Sequence, residues 1–149
     1  VDIEQKVIRN RLAQSKWAKK NPIARKAIMR RYYDSSKGIY IHIKKRCIGK
    51  DIYLLSRDEF IEWYDKQPKS CVYCKIPENL VVNIKNNKMK NCKRLTIDRI
   101  VPSKGYKQDN MALACTTCNF VKNDIFSFDE MKIIGKVVEE KWRNENENC

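Results

Sequence analysis

Apolar and polar positions along the chain follow helical rhythms over most of its length, broken by a few short β-like runs. From Asp2 to about Tyr33, Val7, Leu12, Trp17, Ala18, Ile23, Ala27 and Ile28 are scattered among lysines and arginines, with Asn21-Pro22 as an interruption. Proline suits the first turn of a second helix there. Ser35, Ser36 and Gly38 break the pattern, after which Ile39, Ile43 and Cys47 recur as on a short helix that Gly49 ends. Ile52-Tyr53-Leu54 reads as a short strand. Ser56 with Glu59 forms a capping box for a helix from Arg57 to about Lys66, whose apolar face carries Phe60, Ile61 and Tyr64 and which Pro68 stops.

Cys71-Val72-Tyr73-Cys74 then has the shape of a zinc knuckle. Residues 83 to 94, rich in Asn and Lys, predict a loop or exposed hairpin. Leu95 to Asp98 has the β-branched content of a strand, Pro102 to Asn110 reads as a connecting loop, and Met111 to Ala114 as a second strand. A helix opens at Cys115 and runs to Lys122. Another starts at Asp129, with Met131, Ile134, Val137, Val138 and Trp142 apolar, and the Asn and Glu tail after Trp142 is expected to fray.

No repeat is present, and 149 residues suffice for one core. The expected organisation is α+β: a basic helical arm over 1–49, a compact domain over 50–143 and a frayed tail over 144–149.

Charge changes the picture. The formal net charge is +14, and residues 1 to 50 hold fifteen Lys or Arg against Asp2, Glu4 and Asp34. That balance suits a polyanion, with a solvated helix face or a membrane-surface segment as the competing readings. No apolar run approaches the roughly 20 residues that span a bilayer, and the chain does not open on a signal-like apolar core. A soluble intracellular protein, without a membrane partner, is expected.

Seven cysteines in a reducing compartment point to metal before disulfides. Cys71, Cys74, Cys115 and Cys118 form two Cys-x-x-Cys pairs, and four thiolates complete a tetrahedral zinc site, closed and therefore structural. Cys47 and Cys92 are expected to be small buried hydrophobes, and Cys149 a tail thiol.

From Thr96 to Lys122 the chain reads Thr-Ile-Asp98-Arg99-Ile-Val-Pro-Ser-Lys-Gly-Tyr, then Asp109-Asn110, then Leu-Ala-Cys115-Thr-Thr-Cys118-Asn119 and Lys122. This stretch resembles the HNH (ββα-metal) nuclease family, in which an acidic residue followed by His ends one strand, an Asn lies in the loop, and a His or Asn follows the second zinc pair. The resemblance is strongest to rare-cutting restriction enzymes of that family, over about residues 56 to 142, through Phe60, Trp63-Tyr64, Cys71 to Cys74, Asp98-Arg99, Ile125-Phe126-Ser127 and Glu130-Met131. It implies two short strands and a helix gripping one catalytic divalent ion. Asp98 and Asn119 would be its ligands, and hard oxygen donors of this kind suit Mg²⁺ or Mn²⁺. Taken alone, Asp98 could cap a turn and Asn119 a helix. By resemblance Asn110 braces the loop through its amide.

The sequence departs from the family at Arg99, where the usual general base is His. Arginine cannot take a proton; the similar rare-cutting enzymes share this Arg, and the resemblance implies that it binds the scissile phosphate or its developing charge. Candidate proton acceptors are His42, Tyr64 and Asp51, or hydroxide on the metal itself. Arg9, Arg11, Lys16, Lys19, Lys20, Arg25, Lys26, Arg30 and Arg31 in the arm could run along phosphates or enter a major groove, with Lys104, Lys107 and Lys122 adding grip near the site and Lys85, Lys88 and Lys90 reaching a flanking groove.

The expected function is a metal-dependent endonuclease on double-stranded DNA, of restriction or homing type, and a homodimer would place two sites on opposite strands. The rival readings are a catalytically degenerate zinc-containing nucleic-acid-binding module and a zinc-stabilised interaction domain for acidic partners.

Overall fold

A computed structural model of the chain describes residues 2–83 and 94–147. Its regular elements are α1 (Ile3–Lys20), α2 (Pro22–Asp34), α3 (Ser36–Cys47), α4 (Arg57–Lys66), β1 (Thr96–Arg99), β2 (Met111–Ala114), α5 (Thr116–Lys122) and α6 (Phe128–Glu147). Cys92, Cys149, Lys85, Lys88 and Lys90, and most of the predicted loop around them, lie outside the described residues.

Local chemistry sets the helix boundaries. Asp2 accepts from the Glu4 N–H at the start of α1, and the Asn21 N–H and side-chain amide both donate to Trp17 O, closing α1 before Pro22 opens α2. Ser56 and Glu59 complete both halves of the capping box on α4. The strand expected at Ile52-Tyr53-Leu54 is reduced to a single parallel bridge, Leu54 to Tyr106, because no extended neighbour runs beside it. In the other direction, α6 continues to Glu147, through most of the stretch expected to fray.

The first two helices and the third differ in kind. α1 and α2 bury no residue, and Ile8, Leu12 and Ile23 stay exposed. α3, grouped with the arm on sequence grounds, buries Ile39, Tyr40 and Ile43 instead, donates from Tyr40 Oη to Leu55 O, and sets the Tyr40 ring 5.5 Å from that of Phe60. Gly38 permits the junction: a Cβ there would lie 2.2 Å from Tyr32 O, so α2 and α3 meet backbone to backbone.

The two strands and α5 form a ββα unit. β1 and β2 pair antiparallel, with Asp98 opposite Ala112 and Arg99 opposite Met111, and α5 packs on β1. Phe60, Ile76, Val81, Leu95 and Met131 are wholly buried. Each such side chain contributes about 1.5–3 kcal/mol on leaving water. α6 lies across the back: Trp142 Nε1 donates to Cys74 O, and a Cβ on Gly135 would lie 2.6 Å from Tyr73 O. The helix therefore clamps the Cys71–Cys74 turn from outside. No helix among the described residues is long and apolar enough to cross a membrane.

Candidate metal centres and the adjoining cleft

The four-cysteine cluster is assembled by two tight turns. In the first, Lys75 N donates to Cys71 O, Cys71 N to Ile76 O, and Val72 N to Leu113 O, which ties the turn to β2. In the second, Cys115 caps α5 and its sulfur accepts from Cys118 N. The four Sγ atoms lie within 4.8 Å of one another, and all four residues are wholly buried. Cys74 Sγ and Cys115 Sγ are 3.7 Å apart. Four sulfurs at about 2.3 Å from a tetrahedral zinc would be separated by about 3.8 Å, close to the Cys74–Cys115 separation. Hydrogen bonds from Cys115, Cys118 and Cys74 pull the Cys71 thiol far below its ordinary range, and the one with Cys115 pushes Cys118 far above it. Four thiolates this close need a cation to coexist. These residues can hold a metal ion.

About the end of β1, a second constellation forms. Asp98 is buried, and its two oxygens face different partners: Tyr73 Oη donates to Oδ2 at 2.5 Å, and Lys122 Nζ donates to Oδ1 at 3.2 Å and to Arg99 O at 2.9 Å. Asn119 Nδ2 donates to Thr96 Oγ1 at 2.9 Å and faces Ile97 O at 3.5 Å, which leaves Oδ1 without a donor among the described residues. Arg99 donates to Pro102 O and lies over the Tyr106 ring, 5.3 Å from its centroid. Asp98, Arg99, Asn119, Lys122, Asp124 and Arg46 line one cavity of about 170 Å³. A carboxylate oxygen has a second lone pair beyond the one its hydrogen bond uses, so Asp98 and Asn119 together still present hard oxygen donors to a small cation.

The remaining predicted residues fall in several places. Asn110 is buried and clamps the loop: Oδ1 accepts from Val101 N, and Nδ2 donates to Val101 O and Gly105 O, at 2.8–2.9 Å. Tyr64 is in the core, stacked on Phe60 with Lys69 over its ring. Burial, followed by the Glu78 charge, pushes its phenol up to about 12, and the charges around it are those of Glu78, Arg94, Asp65 and Asp34 rather than Asp98. Asp51 is exposed after α3. His42 is exposed on α3 beside the Tyr33 ring, and it lines a cleft that Asn119 also lines. Cys47 is half-buried against the core, and burial raises its thiol.

Among the cations, Arg9, Arg11, Lys16, Lys19, Lys20, Arg25, Lys26, Arg30 and Arg31 are exposed on α1 and α2, and Lys104 and Lys107 on the loop between the strands. Lys122 is different. It is 1 % exposed and spends its ammonium on Asp98 and the Arg99 carbonyl, so it is not a free surface cation.

Tyr73 is the residue that reading the sequence missed. Burial and its bond to Asp98 push the phenol far above its ordinary range, so at neutral pH it is a donor to the carboxylate. Nothing in the spacing separates it from Val72, its neighbour inside the Cys-x-x-Cys turn. Only the pairing of that turn with β2 shows which of the two faces Asp98.

The arrangement is a two-stranded hairpin and helix around oxygen donors, pinned by a four-thiol cage, which is the ββα-metal architecture of HNH nucleases. Among solved structures the chain is similar to that of the rare-cutting HNH restriction endonuclease PacI, with 24 % identity, a TM-score of 0.65, and coverage of 74 % of this chain and 81 % of that one. The likeness to HNH nucleases noted in the sequence is thereby met at the level of the fold. No protein-family model and no curated protein matches the chain.

Proposed function

We propose that this protein is a divalent-metal-dependent DNA endonuclease. The observation that carries the reading is that Asp98, Asn119 and Arg99 line one small cavity at the end of a ββα hairpin. A polar cavity with two oxygen donors and a guanidinium suits a phosphodiester and a Mg²⁺ or Mn²⁺ ion, and the net charge of +14 suits a nucleic-acid partner. The fold neighbour, a restriction endonuclease, agrees in kind.

In this reading each side chain has one task. Asp98 and Asn119 hold the cation, which when bound supplies electrostatic stabilisation of the phosphorane and the leaving oxygen. Arg99, held over Tyr106, binds the scissile phosphate. Lys122 and Tyr73 aim the Asp98 carboxylate from two sides. Asn110 keeps the loop in register. Zinc in the four-cysteine cage is structural, and α1 and α2 bring the arm cations to the duplex. A homodimer would place two such sites on opposite strands of the duplex.

The test is incubation of purified protein with supercoiled plasmid and long genomic DNA in Mg²⁺, in Mn²⁺ or in EDTA, with Asp98→Ala alongside. Discrete fragments that vanish in EDTA and in the variant are expected. Binding without cleavage in any metal would make the protein a DNA-binding module instead.

A further inference from the structure

The reacting cavity does not end at Asn119. It opens into a larger cleft of about 360 Å³, and the two share Arg46, Ile97, Tyr106, Asn119 and Asn123 in their walls. That volume falls within the range of ligand clefts, about 300–1000 Å³. One wall is α3, which presents Ile39, His42, Ile43 and Arg46. The other is α5 and its C-cap, which present Asn119, Phe120 and Asn123, and Thr96 and Ile97 of β1 form the floor. The chemistry along it is graded. His42 and Arg46 are four residues apart on α3, about 6 Å along the axis. Arg46 is exposed and makes no hydrogen bond or ion pair among the described residues. Among the described residues no Asp or Glu lines this cleft, whereas the reacting cavity has Asp98 and Asp124. Phe120, next to Asn119, is 76 % exposed.

We propose that this cleft is a second nucleotide subsite, in which Arg46 and His42 hold the phosphate next to the one at Asp98 and Asn119 while Phe120 stacks on the base between them. The proposal rests on the nuclease reading and deepens it by saying where the adjoining nucleotide of the cut strand lies. An unpaired arginine in the wall common to both cavities is placed to fix the spacing of consecutive phosphates. An exposed aromatic ring beside a polyanion path is a platform for a base that has left the duplex stack, since every base has a π-face. This gives α3 two faces with separate tasks: Tyr40 on the α4 core, and His42 and Arg46 on the substrate.

His42 is the only histidine in the chain, so its ring protons report on the cleft alone. The experiment follows the His42 ring by proton NMR in the zinc-loaded full chain without added Mg²⁺ or Mn²⁺, while thymidine 3′,5′-bisphosphate is titrated, with inorganic phosphate as a second probe. A saturable shift is expected with the bisphosphate. Arg46→Gln should weaken binding about tenfold or more, the loss of one hydrogen bond to a charged group. Phe120→Leu should weaken the bisphosphate and leave inorganic phosphate unchanged, and Lys136→Gln on the exposed side of α6 should change neither. Absence of a saturable shift, or equal affinity in Arg46→Gln, overturns the subsite. The plasmid assay reads the nuclease reading separately: cutting without the shift rejects the subsite alone, and the shift without cutting keeps the subsite while rejecting the nuclease.

Discussion

Lys122 Nζ lies 3.2 Å from Asp98 Oδ1 with both side chains shut away from water, so the fold supplies a positive charge to the carboxylate on which the proposed chemistry depends. A buried pair of this kind is a weak source of net stability when intact and a costly one to break, because the survivor is left unpaired.

Lys122→Met is therefore expected to lose about 3–5 kcal/mol in denaturant unfolding. Adding Asp98→Asn in the same chain should cost less than the sum of the single changes, since the two share one interaction. Simple additivity in that double-mutant cycle would show that the pair is not coupled.

Tyr73→Phe keeps the ring and removes the hydrogen bond to Asp98. We expect a loss of about 1.5–3 kcal/mol in stability, the value of a bond to a charged group. In the plasmid assay the cutting rate should fall about 10–100-fold, as for partners that orient a metal ligand. A variant that melts normally and cuts at the parent rate would remove Tyr73 from the site.

Elemental analysis of the purified chain should find one zinc per molecule. A strong chelator at neutral pH, or Cys74→Ser, should abolish the cooperative thermal transition, because the cage joins the Cys71–Cys74 turn to α5 and its binding energy is folding energy. Excess Mg²⁺ should not restore that transition, since thiolates prefer the softer ion.

Gly135→Ala pushes a methyl group to within 2.6 Å of the Tyr73 carbonyl. Overpacking of this order costs about 1–3 kcal/mol. As α6 moves away, the phenol should lose its aim, so cleavage should fall alongside the melting temperature. Gly135→Ala with an unchanged melt would show that α6 is not seated on this turn.

Tyr64 supplies a pH signature. Its phenol titrates near 10 in an unfolded chain and is pushed up to about 12 in the fold, so the folded state holds this proton more tightly. Stability from this group is complete below pH 10 and is lost as pH rises from 10 towards 12. Tyr64→Phe should flatten that alkaline limb in chemical unfolding curves, and an unchanged limb would place its origin elsewhere.

Much of the chain could be read before any coordinates. The capping box at Ser56 and Glu59 and the break at Asn21-Pro22 rest on interactions within a few residues, and so does each Cys-x-x-Cys pair. Asp98 and Asn119 were visible only through resemblance to a family pattern, since an acid at a strand end and an amide after a cysteine have common local uses. Three placements were out of reach. Tyr73 and Val72 alternate within one turn, so the partner strand alone decides which of them faces Asp98. Lys122 reads as a phosphate-gripping cation near the site until α5 lies on β1 and buries it against Asp98. α3 reads as part of the basic arm because its charged face dominates the composition, while Ile39, Tyr40 and Ile43 find their partners across α4.

The sequence by itself therefore determined most of the helices, the two cysteine pairs and the basic charge, because propensity, capping, residue spacing and net charge act over one turn of chain or sum over all of it. The tertiary structure alone decided that Tyr73 and Lys122 converge on one carboxylate and that α3 walls a cleft beside it. Those relations join residues 23 to 25 positions apart or more through packing, and the free energy that selects them belongs to the folded core and not to any segment.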